Sequence, residues 1–456
     1  MQIAIPDKVC YIIDELENRG FEAYAVGGCV RDSILRRNPK DWDITTPAKP
    51  KQIKEIFKRT IDTGIQHGTV TVMLGESGYE VTTYRIDGEY MDSRHPEVVE
   101  FTGSLEEDLK RRDFTINAMA YNPKTGLVDL FNGIDDLNNK CIRCVGNPTQ
   151  RFNEDALRML RAVRFCAQLK FEIEKQTAAA IKVNAESLKK ISAERIQMEL
   201  TALLVSDNPG RIKTAQELGI TKVILPEYDA IVGVSQITPN HIYTVDEHTI
   251  KSMECIDPDT VLRLTMLMHD FGKPAVKKTL ENGRDIFYRH PEISVVLAKE
   301  ILKRLKFDND TTQKVLRLIK WHGLKYSDDY VSVRRALNRV GDDIFLEFIQ
   351  VQIADVMAKN PTVIPMKLNA LYKKKVLFDH IIEEGQCFRV SGLKINGRDL
   401  MNMGINQGPI IGHILERLTE MVIDDQRLNT KENLRELALK VKDDPTIFDE
   451  KKYFFE

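Results

Sequence analysis

The sequence predicts an α+β fold, in which an N-terminal head of strands and helices precedes an all-helical remainder. Up to Cys144, short β-like runs alternate with helical patterns. From about Asn147 onward, apolar residues recur at three- and four-residue spacing, as in AERIQMELTALLV. The chain has 456 residues, of which 42% are hydrophobic. At roughly 150 residues per domain, this is enough for about three domains with buried cores.

The head shows its predicted elements in order along the chain. A helix is predicted at roughly Pro6–Arg19, and the strand EAYAV leads through Gly27-Gly28 into a helix that starts at VRDSILRR. DWDIT predicts a further strand. HGTVTVML and YEVTTYR are joined by the turn residues GESG and therefore predict a hairpin.

Turn-forming residues mark three joints along the chain, at Gly146-Asn147-Pro148, Asn208-Pro209-Gly210 and Asn360-Pro361. These joints predict four parts. Their predicted bounds are residues 1–146, 147–210, 211–360 and 361–456.

Composition excludes several classes of protein. No stretch approaches the roughly 18 apolar residues of a membrane helix, and the start of the chain lacks the pattern of a signal peptide. We therefore expect a soluble, cytoplasmic protein with no membrane partner. The 7 Cys are scattered, which favours free thiols, and the CxxC of Cys141 and Cys144 has no second pair to complete a zinc site.

Two carboxylates in DWDIT form the first candidate site. Asp41 and Asp43 flank Trp42, and the two-residue period of a strand would point both side chains to the same face. Neighbouring carboxylate oxygens suit Mg²⁺, which keeps water and substrate phosphate in its other positions. A solvated strand edge is the alternative interpretation.

A glycine pair upstream strengthens the metal interpretation. Gly27 and Gly28 lie between a predicted strand and a helix start, where backbone NH groups can approach a triphosphate. A bare Gly-Gly is usually only a turn, and this one lacks the spacing of a P-loop or dinucleotide fingerprint. Together with DWD, it indicates phosphates bound beside a metal.

The chain resembles the class II tRNA nucleotidyltransferases, or CCA-adding enzymes, of the polymerase-β-like nucleotidyltransferase superfamily. Seven pieces carry the resemblance in the family's order: GGCVRD, DWDIT, YRIDGEYMDSRHPEVVEF, RRDFTINAMAY, DLFNGIDDL, RFNEDALRMLRAVRF and SAERI. It implies a polymerase-β-like head with a small mixed sheet, then an all-α neck, an HD body and a tail that binds tRNA.

The resemblance also implies roles for individual residues of the head. Asp41 and Asp43 would hold Mg²⁺, while Gly28 and Arg31 would contact the triphosphate. Arg112 would lie near the sugar and phosphates of the nucleotide, and Asp113 would help to shape the ribose pocket.

The segment RFNEDALRMLRAVRF is predicted to be one helix with a charged stripe. Three-residue steps place Asp155, Arg158, Arg161 and Arg164 along one face. An outer face with an internal ion pair is the alternative. By resemblance, Asp155 and Arg158 read the Watson–Crick edge of CTP and then ATP, and Arg161 and Arg164 serve phosphates.

A polar stretch before RRDF bears on which nucleotides are added. It contains Gly88, Asp92 and Arg94, and is either a surface loop or, by resemblance, the loop needed to change from C to A addition. Its full length favours CCA addition over CC addition. It leaves an A-adding enzyme or a poly(A) polymerase open.

Histidines and aspartates in the helical middle form a second candidate site. Buried histidines are more often structural, but DEHTI, LTMLMHDFGKP, FYRHPEIS, KWHGL and QIADVM resemble the HD phosphohydrolase superfamily. The resemblance implies a divalent transition metal on four residues, His248, His269, Asp270 and Asp355. His290 and His322 match a second metal position, and Lys273 follows the doublet. Metal-activated water would then attack a phosphomonoester or a 2′,3′-cyclic phosphate.

The sequence thus predicts addition of C, C and A to tRNA 3′ ends from CTP and ATP. The alternatives are a poly(A) polymerase or A-adding enzyme, and an HD phosphohydrolase with an RNA-binding head. The oligomeric state stays open.

The net charge of −2 hides a local excess of positive charge, since residues 145–214 hold 12 Lys or Arg against 8 Asp or Glu. We expect RNA binding by this basic surface to weaken as salt rises.

Overall fold

The structure is a computed structural model that describes residues 2–87 and 99–443. It divides into two compact units. The first runs to Asp229 and includes Arg304–Lys306, and the second holds Ala230–Lys303 and the chain from Phe307 onward. The predicted loop residues Gly88, Asp92 and Arg94 lie outside the described residues. The four predicted domain bounds stay a prediction.

A mixed sheet of seven strands, in the order β3-β4-β5-β2-β1-β8-β9, forms the centre of the first unit. Strands β2 and β5 run parallel, and the other neighbours are antiparallel. This confirms the predicted α+β class. The strands are β1 Tyr24–Val26, β2 Asp43–Thr46, β3 Thr60–Gly64, β4 Thr69–Leu74, β5 Ser77–Thr83, β6 Arg85–Asp87, β7 Val99–Phe101, β8 Met119–Asn122, β9 Gly126–Asp129, β10 Cys141–Ile142, β11 Glu172–Ile173, β12 Lys278–Thr279 and β13 Asp285–Ile286.

The predicted hairpin is formed by β4 and β5. Leu74 pairs with Ser77, so only Gly75 and Glu76 form the turn. Gly75 has a φ of 69°, which favours glycine and suits a two-residue hairpin. Strand β5 then lies beside β2, which places Glu80 opposite Asp43.

Helices cover the sheet and continue the first unit. The apolar face of the first helix places Val9, Ile12 and Leu16 in one buried cluster with Ile44 and Val81 of the sheet. The helices of this unit are α1 Asp7–Glu17, α2 Gly28–Ile34, α3 Pro50–Ile56, α4 Leu105–Lys110, α5 Gly133–Asn138, α6 Pro148–Glu154, α7 Leu157–Leu169, α8 Lys175–Asn184, α9 Ala193–Leu204, α10 Ile212–Glu217, α11 Thr221–Ile224 and α12 Pro226–Asp229.

The second unit is almost entirely helical. Its C-terminal part has a core of its own, in which Leu400, Leu418, Val422 and Leu434 are buried together. The helices are α13 Val245–Glu254, α14 Thr260–Met268, α15 Lys273–Val276, α16 His290–Arg304, α17 Asn309–Trp321, α18 Tyr330–Val340, α19 Phe345–Met357, α20 Ile364–Glu383, α21 Gly397–Asn402, α22 Pro409–Asp424 and α23 Lys431–Asp443.

Two local predictions are wrong. Strand β2 begins at Asp43, so Asp41 precedes it and strand periodicity does not place its side chain. The predicted single helix from Arg151 to Phe165 is two helices, because Asp155 is extended, with a φ of −143°, between α6 and α7.

Two expectations from composition can be compared with the structure. The prediction of free thiols is confirmed, since every Cys is unpaired. Within residues 2–87 and 99–443, no helix combines the length and the apolar character that crossing a membrane requires.

Candidate functional site

Three carboxylates mark one end of the central sheet. Asp43 starts β2, Asp41 lies two residues before it, and Glu80 of β5 is its partner in the parallel ladder. Desolvation raises the pKa of Asp43, and repulsion from Glu80 and Asp41 raises it further, whereas Arg112 lowers it. Asp43 is solvent-exposed. Such a cluster is stabilised by a bound divalent cation.

Glu80 was missed by the sequence reasoning. It lies in the predicted hairpin strand YEVTTYR, but its neighbourhood depends on β5 running parallel to β2. The alternating pattern of a strand does not reveal its non-adjacent partner. The one signal in the sequence is that Glu80 is a carboxylate in a predicted strand, later in the chain than the strand predicted to hold Asp41 and Asp43.

The first glycine of the pair, Gly27, lies directly against Arg112. Gly27 has a φ of 82°, and a Cβ there would be 3.0 Å from Nη1 of Arg112. A side chain at this position would displace the guanidinium. Nη2 of Arg112 contacts buried Asp108 at 3.3 Å, while its Nε is buried with no hydrogen-bond acceptor among the described residues. Arg112 therefore retains a donor for a ligand beside the carboxylates.

Arg31, predicted to contact the triphosphate, donates to protein groups in this structure, and the triphosphate role stays a prediction. Its Nη1 donates to Oδ1 of Asn117 at 2.6 Å, and its Nε and Nη2 donate to the carboxylate of Asp32 at 2.9 and 3.0 Å. The guanidinium is buried and also lies 5.1 Å from the ring centre of Phe165. In this structure Arg31 connects α2, which begins at Gly28, to Asn117.

Asp113 and Arg161 form a buried ion pair. Oδ2 of Asp113 accepts from Nε and Nη2 of Arg161 at 2.9 and 2.7 Å. Its Oδ1 accepts from the Phe114 amide at 2.8 Å and from Asn117 at 3.0 Å. Desolvation alone would raise the pKa of Asp113, but Arg161 and these donors hold it at about 2. Asp113 is therefore ionised at neutral pH, and both of its carboxylate oxygens accept hydrogen bonds from protein donors.

Arg161 and Arg164, predicted to serve phosphates, are both paired with a glutamate of α9. Nη1 of Arg161 contacts Glu199 at 3.3 Å, and Nε of Arg164 contacts it at 2.6 Å. Both guanidinium groups also lie over the ring of Phe165, at 5.5 and 4.3 Å from its centre. These contacts connect α7 to α9 through a buried carboxylate, so the phosphate role stays a prediction.

Replacing Asp113 by Asn is expected to reduce the free energy of unfolding by about 2 kcal/mol at neutral pH. The folded pKa lies below the unfolded one, so this stabilisation is present above about pH 4 and is lost as pH falls toward 2. Urea unfolding at pH 7 and pH 3 should therefore show a smaller difference between wild type and variant at the lower pH. Asp310→Asn, which removes the exposed partner of Lys314, is the matched control. An equal loss at both pH values would contradict the ion-pair explanation.

The side chains of Asp155 and Arg158 contact different protein groups. Oδ1 of Asp155 accepts from the Leu157 amide at 3.1 Å, and Oδ2 accepts from Nη2 of Arg195 at 2.7 Å. Arg158 is buried on α7, where its Nη1 donates to Glu154 at 2.6 Å. The predicted single stripe is therefore wrong for Asp155, because a helix break precedes α7. The three arginines of the stripe all lie on α7.

The second unit brings all the predicted metal-binding residues together around Asp270. Oδ2 of Asp270 lies 3.1 Å from Nε2 of His269 and 3.7 Å from Nε2 of His248. Its Oδ1 lies 3.3 Å from Nε2 of His290 and 3.9 Å from Nε2 of His322. Two groups of potential ligands thus share one carboxylate.

The fourth predicted core ligand, Asp355, lies on the same side of the cluster as His248. Its Oδ1 is 3.1 Å from Nε2 of His248 and 4.0 Å from Nε2 of His269. Lys359 pairs with its other oxygen, and Lys273 lies 2.6 Å from Oδ2 of Asp270. Lys359 was not identified from the sequence.

Backbone carbonyls orient the four imidazoles of the cluster. Nδ1 of each ring lies 2.7–3.1 Å from a carbonyl oxygen, those of Ala358, Met266, Phe287 and Ile319. A proton on Nδ1 would satisfy each of these carbonyls, and Nε2 of each ring faces the centre of the cluster. Nε2 of His290 and Nε2 of His322 are only 3.2 Å apart, an arrangement that favours a cation between them. Burial lowers the pKa of His322 to about 3, so the ring is neutral at pH 7.

Comparison with known proteins decides the family. Residues 23–143 match the family described as Poly A polymerase head domain, and residues 287–438 match tRNA nucleotidyltransferase domain 2. The CCA-adding enzyme of Lactobacillus helveticus is 36% identical over 93% of this chain and 96% of its own. That of Levilactobacillus brevis is 35% identical over 92% and 94%. The chain belongs to the CCA-adding enzyme family.

Solved structures of CCA-adding enzymes share the fold over most of the chain. The Bacillus stearothermophilus CCA-adding enzyme in complex with CTP has a TM-score of 0.75 and 27% identity, covering 95% of this chain and 97% of that one. The Thermotoga maritima CCA-adding enzyme complexed with tRNA has a TM-score of 0.56 and 22% identity, covering 97% and 100%, and supports the fold alone. The predicted family and enzyme class are confirmed.

Proposed function

We propose that this chain adds C, C and A to the 3′ end of tRNA from CTP and ATP. The observation that carries the proposal is the carboxylate cluster of Asp41, Asp43 and Glu80 beside Arg112, in a chain that matches CCA-adding enzymes over nearly its full length. Exposed carboxylates that repel one another fit a divalent metal, and we propose Mg²⁺.

The residues of the site divide the work of nucleotidyl transfer. When bound, Mg²⁺ would activate the RNA 3′-hydroxyl and neutralise charge on the departing pyrophosphate. Asp41, Asp43 and Glu80 are the proposed ligands. Gly27 leaves room for Arg112, whose free Nε donates to the triphosphate. No protein nucleophile is required, because positioning and charge stabilisation carry the reaction.

We propose that Asp155 and Arg158 select the base. Cytosine and adenine each present an amino donor beside a ring acceptor, which an Asp acceptor and an Arg donor complement. Arg158 must exchange its contact with Glu154 for the base, since its guanidinium donates to that carboxylate in this structure. Arg161 and Arg164 support the site through Asp113 and Glu199.

The double variant Asp155→Ala, Arg158→Ala is expected to lose its choice among the four nucleotides. Discrimination of CTP against UTP should fall by about tenfold to a hundredfold, because the charged acceptor and donor are both absent. Single-nucleotide incorporation into tRNA lacking its CCA end measures this. Wild-type selection in the double variant would rule out templating by these residues.

The same assay tests the function as a whole. Wild type with CTP and ATP should extend tRNA lacking its end by three nucleotides and stop. ATP-only homopolymer would favour a poly(A) polymerase, and addition to tRNA ending in CC alone would favour an A-adding enzyme.

A second function is supported by the histidine cluster of the second unit. The Nε2 atoms of four imidazoles face Asp270, and Asp355 completes one side. Imidazole nitrogens and carboxylates fit a divalent transition metal such as Mn²⁺, Ni²⁺ or Co²⁺. We propose metal-dependent hydrolysis of a phosphomonoester or a 2′,3′-cyclic phosphate at a damaged RNA end.

We propose a division of the chain by function that follows the bounds predicted from the sequence. We assign nucleotidyl transfer to residues 1–146, the base-selecting neck to 147–210, the metal cluster to 211–360 and tRNA binding to 361–456. A cytoplasmic location stays a prediction.

A further inference from the structure

A fifth histidine of the second unit lies beside the histidine cluster. His241 is on the segment between α12 and α13, and its ring centre is 5.0 Å from that of His248. Its Nδ1 is buried and has no hydrogen-bond partner among the described residues. Burying a ring nitrogen without a partner is unfavourable, so such a group is typical of a site that a ligand completes. The short motifs of the sequence did not identify His241.

Contacts on both sides of His241 hold its segment in place. Oε1 of Gln236 accepts from Nζ of Lys273, which follows the His-Asp doublet. Beyond it in the chain, the carbonyl oxygen of Asn240 accepts from the Asn360 amide at 2.9 Å. The segment is therefore anchored to the same helices that carry the cluster.

Two lysines lie near the Asp355 side of the cluster. Lys359 pairs with the carboxylate of Asp355, and the lysine side chain is 16% exposed. Lys367 of α20 donates to Oδ1 of Asn240, the neighbour of His241, at 3.0 Å. Burial lowers the pKa of Lys367, and repulsion from Lys359 lowers it further, whereas Asp355 raises it. The charge of Lys367 thus has a neutral hydrogen-bond partner and a repelling neighbour.

Positive charge exceeds negative charge among these groups. Three lysines lie beside the two carboxylates of the cluster, Asp270 and Asp355, namely Lys273, Lys359 and Lys367. A divalent cation in the cluster would increase the excess. An anion relieves the repulsion, and the oxygens of a phosphate accept from both ammonium and imidazole donors. A phosphomonoester carries about −1.5 to −2 at pH 7, whereas a 2′,3′-cyclic phosphate has a single ionisable oxygen.

We propose that His241, Lys359 and Lys367 form a phosphate-binding subsite of the histidine cluster, suited to the dianion of a terminal phosphomonoester. Nδ1 of His241 and the two ammonium groups donate to the phosphate oxygens. The inference rests on the proposed hydrolysis of damaged RNA ends and chooses between the two substrates proposed for it. RNA ending in a 3′-phosphate is then the preferred substrate.

Lys367→Gln tests the charge of the subsite. After incubation with Mn²⁺ and dialysis, the variant is expected to retain as much metal as wild type. Its KM should rise about tenfold for RNA ending in a 3′-phosphate and about threefold for a 2′,3′-cyclic phosphate, because the contact weakens with the charge of the phosphate. Lys367→Arg should recover most of the loss. Lys375→Gln, which removes the exposed partner of Asp379 on the same helix, is the matched control.

Binding of inorganic phosphate tests the subsite without turnover. Calorimetric titration of the full chain loaded with Mn²⁺ should give a Kd about tenfold higher for Lys367→Gln and His241→Ala than for wild type. His241→Asn places an amide donor near the position of Nδ1 and should recover part of the affinity. A purely structural role of His241 would lower the thermal midpoint of both His241 variants without changing this Kd, and would overturn its place in the subsite.

The same measurements separate failure of this inference from failure of the hydrolase function. If wild type binds Mn²⁺ and hydrolyses RNA ends while Lys367→Gln keeps the wild-type KM and Kd, only the subsite is overturned. An equal rise in KM for both RNA ends would overturn the preference for the dianion. If wild type binds no metal and hydrolyses neither end, the hydrolase function is overturned and the subsite with it.

Discussion

Replacing both Asp41 and Asp43 by Ala is expected to reduce incorporation of CMP and AMP into tRNA by about a thousandfold or more. Loss of the metal ligands removes several kcal/mol of charge stabilisation in the transition state, and about 4 kcal/mol corresponds to a thousandfold in rate. Incorporation of labelled CTP and ATP in the presence of Mg²⁺ measures the effect.

The double variant is expected to remain folded. The pKa of Asp43 is raised in the folded chain, so its ionisation opposes folding once the pH exceeds its usual range. Removing the charge should therefore leave the thermal midpoint at pH 7 unchanged or slightly higher. This separates loss of chemistry from loss of structure.

Two further variants make the metal assignment specific. Glu80→Gln should lower incorporation less than the double variant, because two carboxylates remain at the sheet end. Glu76→Gln, in the exposed turn of the same hairpin, should have no effect. Equal incorporation by wild type and the Asp41, Asp43 double variant would refute the metal site.

Local patterns predicted the individual elements of the head well. The first helix and the hairpin formed by β4 and β5 each depend on neighbouring residues, such as the Gly75 turn, and both are present. The parallel pairing of β2 with β5 joins residues far apart in the chain, and no periodicity encodes it. Glu80 was missed for this reason, whereas Asp41 and Asp43 were visible as a pair.

The break at Asp155 illustrates a second limit of sequence patterns. Phe152 and Ala156, four positions apart, are both buried, so the apolar periodicity continues across the break and gives no sign of it. The extended backbone of Asp155 is accompanied by a hydrogen bond to the Leu157 amide and an ion pair with Arg195 of α9. A tertiary partner 40 positions away is therefore part of the local structure here.

The members of the histidine cluster, unlike Glu80 and the break at Asp155, could be predicted from the sequence. Short motifs identified each of its members, and the structure places all of them around Asp270. What the motifs did not show is that opposite oxygens of this one carboxylate face two separate pairs of imidazoles. The sharing follows from the packing of three helix ends, those of α14, α16 and α17, beside α13 and from the carbonyl contacts that orient each ring.

Asp270→Asn is expected to abolish metal binding by both halves of the cluster. Wild type should retain about two divalent ions per chain after incubation with Mn²⁺, Ni²⁺ or Co²⁺ and dialysis, since Asp270 faces two ligand groups. The amide is uncharged and cannot bridge two cations as a carboxylate does. Metal analysis and hydrolysis of RNA ending in a 3′-phosphate or a 2′,3′-cyclic phosphate measure the two consequences.

His290→Ala tests the division into two groups. It removes a ligand from the half that contains His322 and leaves His248, His269 and Asp355 in place, so one ion per chain should remain. His380→Ala, an exposed histidine of α20, is the control. Nucleotide addition to tRNA should be retained in all three variants, because none of them alters Asp41, Asp43 or Arg112. If wild type binds no metal and hydrolyses neither RNA end, the cluster is a polar core, and only nucleotidyl transfer remains as the activity of this chain.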